Sequence, residues 1–274
     1  MPYEVPISMS PSRVEAFTSC PMAFRFASLD KLPEPPSAHM TKGSMVHRVL
    51  ELLFMQPAAT RNLETAGPAF AQAVAEYRLD AEFTMLGLDE QQEQAFFEDC
   101  WALTNAYFAM EDPTAIREIG LELRLEAKVG ELALRGIIDR LELDANGGLV
   151  VTDYKTGRAP GMKYEQSRLS GVHFYSFLCE AVFGQRPAAI RLMYLRTGET
   201  ITATPTAQSV RFITTRTTAV WNAVKKACET DDFRPKPGAL CTSCSFQPWC
   251  PAFGGDPSLA VAEAPARLRP LAVA

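Results

Sequence analysis

Apolar and polar positions change period along this chain, and each change marks an element. Ser10-Pro11-Ser12-Arg13 has the form of a helix start, with Ser10 as the cap and Pro11 in the first turn; Val14 and Phe17 carry the pattern on to Cys20-Pro21. Leu32-Pro33-Glu34-Pro35-Pro36 is a stiff extended connector. Residues 41–53 return to helical spacing, and 57–112 read as a helical insert of two or three helices, including 66–83 and 89–110. Its apolar positions Phe96, Phe97, Trp101, Leu103, Tyr107 and Phe108 read as core, and the insert is assigned no chemistry. From Ile119 the period becomes two. Leu121, Leu123, Leu125, Ala127 and Val129 alternate with Glu122, Arg124, Glu126 and Lys128, which predicts a half-exposed strand. Residues 164–183 read as a helix, 189–196 and 199–204 as a strand pair, and 206–229 as a long helix.

Between these lies the stretch 135–157, RGIIDRLELDANGGLVVTDYKTG, with the form of a β-hairpin. Leu134, Ile137, Ile138, Leu141 and Leu143 supply one apolar run, and Leu149, Val150 and Val151 the other. Asp144-Ala145-Asn146-Gly147-Gly148 tolerates positive φ and predicts the turn. Polar groups stand where a buried strand should carry none: Asp139 in the first strand, Asp153 and Lys155 at the end of the second, with Tyr154 between them. Residues two apart share a face, so Asp153 and Lys155 are presented together. Two carboxylates and a lysine suit a divalent cation and a reacting phosphate: the carboxylates hold the hard ion, and the lysine orients or deprotonates the attacking water. An Asp-x-Lys triplet is common by accident, so the neighbours carry the reading. Gly136 stands three before Asp139, and Thr156-Gly157 follows Lys155, as a backbone turning sharply beside a ligand would require. In the helix at 41–53, His47 and Glu51 are four apart and share one face. Arg158, Lys163 and Arg168 lie just past Lys155, within reach of phosphates or at a solvated helix start.

Composition narrows the class. At 274 residues with 47% hydrophobic positions there is material for a large core. A net charge of −5 argues against a general polyanion-coating protein, so contact with nucleic acid must come from a local patch. No apolar run approaches bilayer length and the N-terminal stretch has no apolar signal core; a cytoplasmic chain with no membrane partner is expected. Seven cysteines, an odd number, do not suggest a disulfide framework. Cys241, Cys244 and Cys250, in C-x2-C-x5-C spacing within a Pro-rich loop at 233–253, read instead as thiolate metal ligands. A fourth ligand is wanted from Cys20, Cys100, Cys179 and Cys228. Cys20 is favoured because Pro21 follows it as Pro251 follows Cys250, whereas the other three sit in apolar helical contexts. Spacing alone does not separate zinc from iron. Beyond Gly254 the Ala- and Pro-rich tail, 254–274, is expected to be disordered.

Taken in order, SPSRVEAFTSCP, GSMVHRVLE, GIIDRLE, VVTDYKTG, HFYSFL and CTSCSFQPWCP resemble the RecB-like family of PD-(D/E)XK nucleases over residues 8–253, in the branch with a four-cysteine iron–sulfur cluster. That branch is similar to CRISPR-associated exonucleases and to the nuclease domains of helicase–nuclease machines. The resemblance implies one nuclease domain over 1–253 of α/β class: a restriction-endonuclease-like core with a mixed central β-sheet flanked by helices, a helical insert, and a cysteine loop closing on Cys20. It implies that His47, Asp139 and Asp153, with the backbone carbonyl of Tyr154, hold Mg²⁺ or Mn²⁺, that Lys155 positions the attacking water, and that Glu51 and Tyr175 support them. Cys20, Cys241, Cys244 and Cys250 would hold a 4Fe-4S cluster that pins the chain ends. The implied activity is metal-dependent hydrolysis of DNA, as an exonuclease on single strands or ends, in repair, recombination or defence. The alternative is a non-catalytic nuclease-fold subunit that binds DNA or a helicase, against which the intact His47, Asp139, Asp153 and Lys155 argue. There are two departures. Ile138 replaces the motif's proline, and Gly171 stands where the family carries a glutamine four before the tyrosine, here Tyr175; Gln166 and His173 are the nearest substitutes. With no G-x-x-x-x-G-K-S/T loop, unwinding of duplex ends would fall to a separate helicase.

Overall fold

The computed structural model describes residues 3–159, the backbone of 162–172, and 173–268. In chain order these form β1 (Ser8–Met9), α1 (Pro11–Ser19), α2 (Pro21–Phe24), α3 (Ala38–Phe54), α4 (Leu63–Arg78), α5 (Ala81–Thr84), α6 (Glu90–Tyr107), β2 (Arg117–Val129), β3 (Leu132–Leu143), β4 (Leu149–Lys155), α7 (Met162–Phe183), β5 (Ala189–Tyr194), β6 (Glu199–Ala203), α8 (Ala207–Thr230) and α9 (Ala260–Arg267). Among the described residues no helix is long and apolar enough to cross a membrane.

The strands make one mixed sheet in the order β1-β3-β4-β5-β6, with β2 also paired to β3. The predicted hairpin forms: β3 and β4 are antiparallel, with Leu143 opposite Leu149 and Arg140 opposite Thr152. Its turn closes because Asp144 Oδ1 accepts the backbone N–H groups of Asn146 and Gly148, both at 2.8 Å, while Gly147 takes φ 78°. β5 runs parallel to β4, so the chain between them must cross over, and α7 is that crossover. This is the mixed α/β architecture expected, with helices flanking a central sheet.

Two compact units divide the chain. One comprises Pro36–Leu125 and Gly136–Val210. Its core joins Met45, Val49, Leu50 and Leu53 of α3 to Ala69 and Ala73 of α4 and to Phe96, Phe97, Cys100 and Leu103 of α6; Tyr154, Met193 and Leu195 enter the same core from the sheet side. The helical insert therefore shares its core with β4. Gly136 faces α7. A Cβ there would lie 2.8 Å from Leu178 Cδ1 and 3.3 Å from the Tyr175 ring, so its glycine serves close approach of a helix rather than the sharp turn expected.

The other unit comprises Met1–Pro35, Glu126–Arg135 and Arg211–Ala274. Ser10 caps α1 as predicted, accepting from Arg13 N–H at 3.3 Å. The tail departs from expectation. Residues 260–267 are helical, not disordered, because Ala260 and Ala264, four apart, give a small flat face that is fully buried. Trp249 Nε1 donates to Glu263 at 3.1 Å, and Trp249 is itself buried. Gly255 makes this return possible, since a Cβ on it would fall 2.3 Å from the Pro248 carbonyl. Composition recorded the alanines but not the surface they meet.

Candidate functional site

The end of β4 organises the carboxylate centre. Alternation puts Asp153 and Lys155 on one face, where the Lys155 ammonium pairs with Asp153. The backbone of Tyr154, between them, is used twice. Its N–H donates to Asp139 Oδ2 at 2.7 Å, and its carbonyl accepts from His47 Nε2 at 2.9 Å. His47 reaches the strand from α3, and its Nδ1 stands 3.5 Å from Asp139 Oδ2. The structure thus brings together His47, Asp139, Asp153, Tyr154 and Lys155, although 92 residues separate the histidine from the first aspartate.

A further carboxylate joins them. Ligand atoms of His47, Glu122 and Asp139 all lie within 4.8 Å of one another. The alternating pattern sends Glu122 to solvent, but the residue has φ 44°, a left-handed conformation in the middle of β2 that re-aims its side chain. Period-two reading assumes an unbroken strand and could not find it. The one local hint is Gly120, two residues earlier, where a Cβ would lie 2.9 Å from the Leu123 side chain.

The electrostatics of the group are those of a site short of positive charge. Burial, and then Asp153, hold the Asp139 pKa well above the usual carboxylate range. Burial, and then Asp139, push Glu122 up to about 7. Burial lowers His47, partly opposed by Asp153 and Glu122. Burial also works against the Lys155 charge, but Asp153 outweighs it, so the ammonium is raised and stays protonated near neutrality. Tyr175, from α7, is raised by burial and by Asp153, to which it hydrogen-bonds. Glu51 is engaged by Arg48 at 2.7 Å, and Arg48 also holds Glu76; the Glu51 charge still reaches Glu122. Several carboxylates against one lysine, with imidazole and carbonyl donors beside them, form a hard oxygen–nitrogen set that fits a divalent cation. His173 has a buried Nδ1 without a hydrogen-bond partner and stands outside the His47–Glu122–Asp139 group. The side chains of Lys163, Gln166 and Arg168, and position 171, lie outside the described residues.

The cysteines converge separately. Cys20, Cys241, Cys244 and Cys250 line one small pocket together with Phe26 and Phe246. Backbone N–H groups face two of the sulfurs: Lys236 N lies 3.5 Å from Cys20 Sγ, and Gly238 N 3.3 Å from Cys241 Sγ. Burial raises the Cys244 and Cys250 thiols, and Cys20 and Cys241 add to both shifts. The sulfurs are nonetheless spread, since among the described residues no three of them lie within 4.8 Å of one another. A single tetrahedral zinc would draw thiolates to ~3.8 Å. Cys100, Cys179 and Cys228 are buried elsewhere.

Against known proteins, the family model of the PD-(D/E)XK nuclease superfamily matches residues 8–251. The Gene 69 protein of Mycobacterium phage L5 is 23% identical, covering 89% of this chain and 96% of its own. The Gene 69 protein of Mycobacterium phage D29 is 27% identical over 57% of this chain, which spans only 65% of that protein's length. A crystal structure from Eubacterium rectale, provisionally described as an exonuclease, shares the fold with a TM-score of 0.51 at 11% identity, over 86% of each chain. The match covers the helix bearing His47, the hairpin bearing Asp139, Asp153 and Lys155, and the cysteine loop, and the chain belongs to the PD-(D/E)XK nuclease superfamily.

Proposed function

We propose that the protein is a metal-dependent DNA nuclease whose site is His47, Glu122, Asp139, Asp153, the Tyr154 carbonyl and Lys155. The observation that carries this reading is the crowding of buried carboxylates and a histidine around a single lysine, an arrangement that a divalent cation would neutralise. Mg²⁺ or Mn²⁺ held there would polarise the scissile phosphate and lower the pKa of water. The chain's own groups do the rest. Lys155, kept protonated by Asp153, acts as a hydrogen-bond donor that orients the attacking water and faces the charge developing on phosphate; the general-base role is disfavoured. Tyr175 fixes Asp153, and the two uses of the Tyr154 backbone fix Asp139 and His47. Cleavage of end-labelled single- and double-stranded DNA, with Mn²⁺ or Mg²⁺ against EDTA, tests the reading. Metal-dependent cutting that is lost in Lys155→Ala supports it; cutting that persists in EDTA or in the variant overturns it.

The four thiols line one pocket, and the family resemblance favours a 4Fe-4S cluster there over a zinc ion. The cluster's role would be mechanical, tying Cys20 to the loop at 241–250. A brown protein on anaerobic purification, with broad absorbance near ~400 nm, is the expected result, and a colourless zinc protein is the opposing one. A helicase that delivers strands belongs to the same reading, resting on the absence of a phosphate-binding loop from the sequence.

A further inference from the structure

Arg140 takes no part in the site, yet it is among the most deeply enclosed side chains of the molecule. It follows Asp139, so the strand turns it to the opposite face of β3. There Nη1 donates to Tyr154 Oη at 2.7 Å and to Glu111 Oε1 at 2.5 Å, Nη2 donates to Glu111 Oε2 at 3.1 Å and Thr152 Oγ1 at 3.3 Å, and Nε donates to Glu142 at 2.5 Å. Glu142 is completed by Arg191 at 3.0 Å, and Glu111 accepts from Tyr107 Oη at 2.7 Å. The guanidinium also lies over the Phe54 ring, 4.6 Å from its centroid. Two carboxylates and two guanidinium groups close a neutral, satisfied network.

Stability is a poor reason for such a network, since apolar replacement of a buried ion set is often neutral or favourable. Tyr154 supplies a better one. Its main chain lies in the carboxylate centre, holding Asp139 and His47, while its hydroxyl is tied to Arg140. The residue is a strut between the two. We propose that Arg140, acting through Tyr154, is a positioning residue that sets where the Tyr154 carbonyl and Asp139 meet His47, and so tunes cation affinity. Glu111, at the end of the helical insert, takes two of the Arg140 donors and gives that insert a part in the site, whereas the Tyr107 hydroxyl meets Arg140 only at 3.4 Å. This rests on the cation site proposed above.

The test compares Tyr154→Phe, which removes one hydroxyl and no volume, with Tyr107→Phe, which removes a hydroxyl of the same network without touching the site. Mn²⁺ binding is measured by calorimetry on the full chain, with melting temperatures in EDTA. Tyr154→Phe is expected to weaken Mn²⁺ by about tenfold, as loss of a ligand-orienting partner does, while Tyr107→Phe stays within about twofold at a similar thermal cost. Cleavage by Tyr154→Phe recovers at saturating Mn²⁺. Arg140→Lys, which retains the charge but cannot span its partners, shifts affinity in the same direction. Native Mn²⁺ affinity in folded Tyr154→Phe overturns the positioning role alone, as does an equal shift in both tyrosine variants, which would indicate general loosening. A native protein that binds no Mn²⁺ overturns the cation site and this role together.

Discussion

The carboxylate centre and the cysteine pocket bring distant side chains together in different ways. In the first, the groups sit on regular elements: α3 carries His47, β3 carries Asp139 and β4 carries Asp153 and Lys155. Hairpin register and strand alternation set their positions, and burial then crowds like charges together at a cost. In the second, three of the cysteines sit in or at the ends of short 3-10 turns and the fourth at the end of α1, 221 residues before Cys241. No hydrogen-bond ladder orders them. Packing does, through Trp249, Gly255 and the α9 face. On the proposed function, the carboxylate centre should keep its geometry without a cation, whereas the cysteine pocket should depend on a bound group.

That contrast can be broken experimentally. The largest effect is expected for Asp153→Ala, where cleavage should fall by about a thousandfold, equivalent to the several kcal/mol a bound cation supplies. The melting temperature in EDTA should change little, because relief of the repulsion with Asp139 is offset by loss of the Lys155 partner; a fall of many degrees would show the centre to be structural. Cys250→Ser should do the opposite, losing bound metal and ~10 °C of melting temperature, and an unchanged transition would mean the thiols stabilise nothing. Glu122→Gln should raise the Mn²⁺ concentration needed for half-maximal cleavage about tenfold and leave the saturated rate near native. No change in metal dependence would remove Glu122 from the site. Gly255→Ala should cost about 5 °C by forcing a Cβ against backbone, with faster bleaching of any cluster in air. Retention of both properties would mean α9 does not clamp the loop.

The smallest effect sharpens the comparison through pH. Glu122 has a folded pKa of about 7 against an ordinary 4.5, so the folded chain keeps a proton that the unfolded chain has released. These carboxylates should therefore lower the stability of the metal-free protein as pH rises between those values, Asp139 adding to the slope and His47, lowered from 6.5, opposing it only below that pH. Saturating Mn²⁺ should flatten or invert the trend, since a bound cation favours the ionised carboxylates. A metal-free melting temperature that climbs across this range would contradict the raised carboxylates.

Much of the molecule was readable without coordinates. The 3.6- and 2-residue periods located the hairpin, the crossover helix and the long helix α8 to within a few residues, because those elements bury one face and the pattern records it. Asp139, Asp153 and Lys155 were legible as polar residues interrupting an apolar hairpin. Glu122 was not, because its role depends on a backbone distortion that composition does not encode. The helix at 260–267 is not legible in the sequence, because a short alanine face means nothing until a partner surface exists. Nothing in the sequence marks Arg140; packing makes it a buried cation with every donor satisfied. The sequence by itself determined which residues share a strand face or a helix face, since that follows from local geometry. Tertiary structure decided which faces meet, which charges are stripped of water, and hence which of the acidic residues share a site, because desolvation and contact across many residues are properties of the packed chain alone.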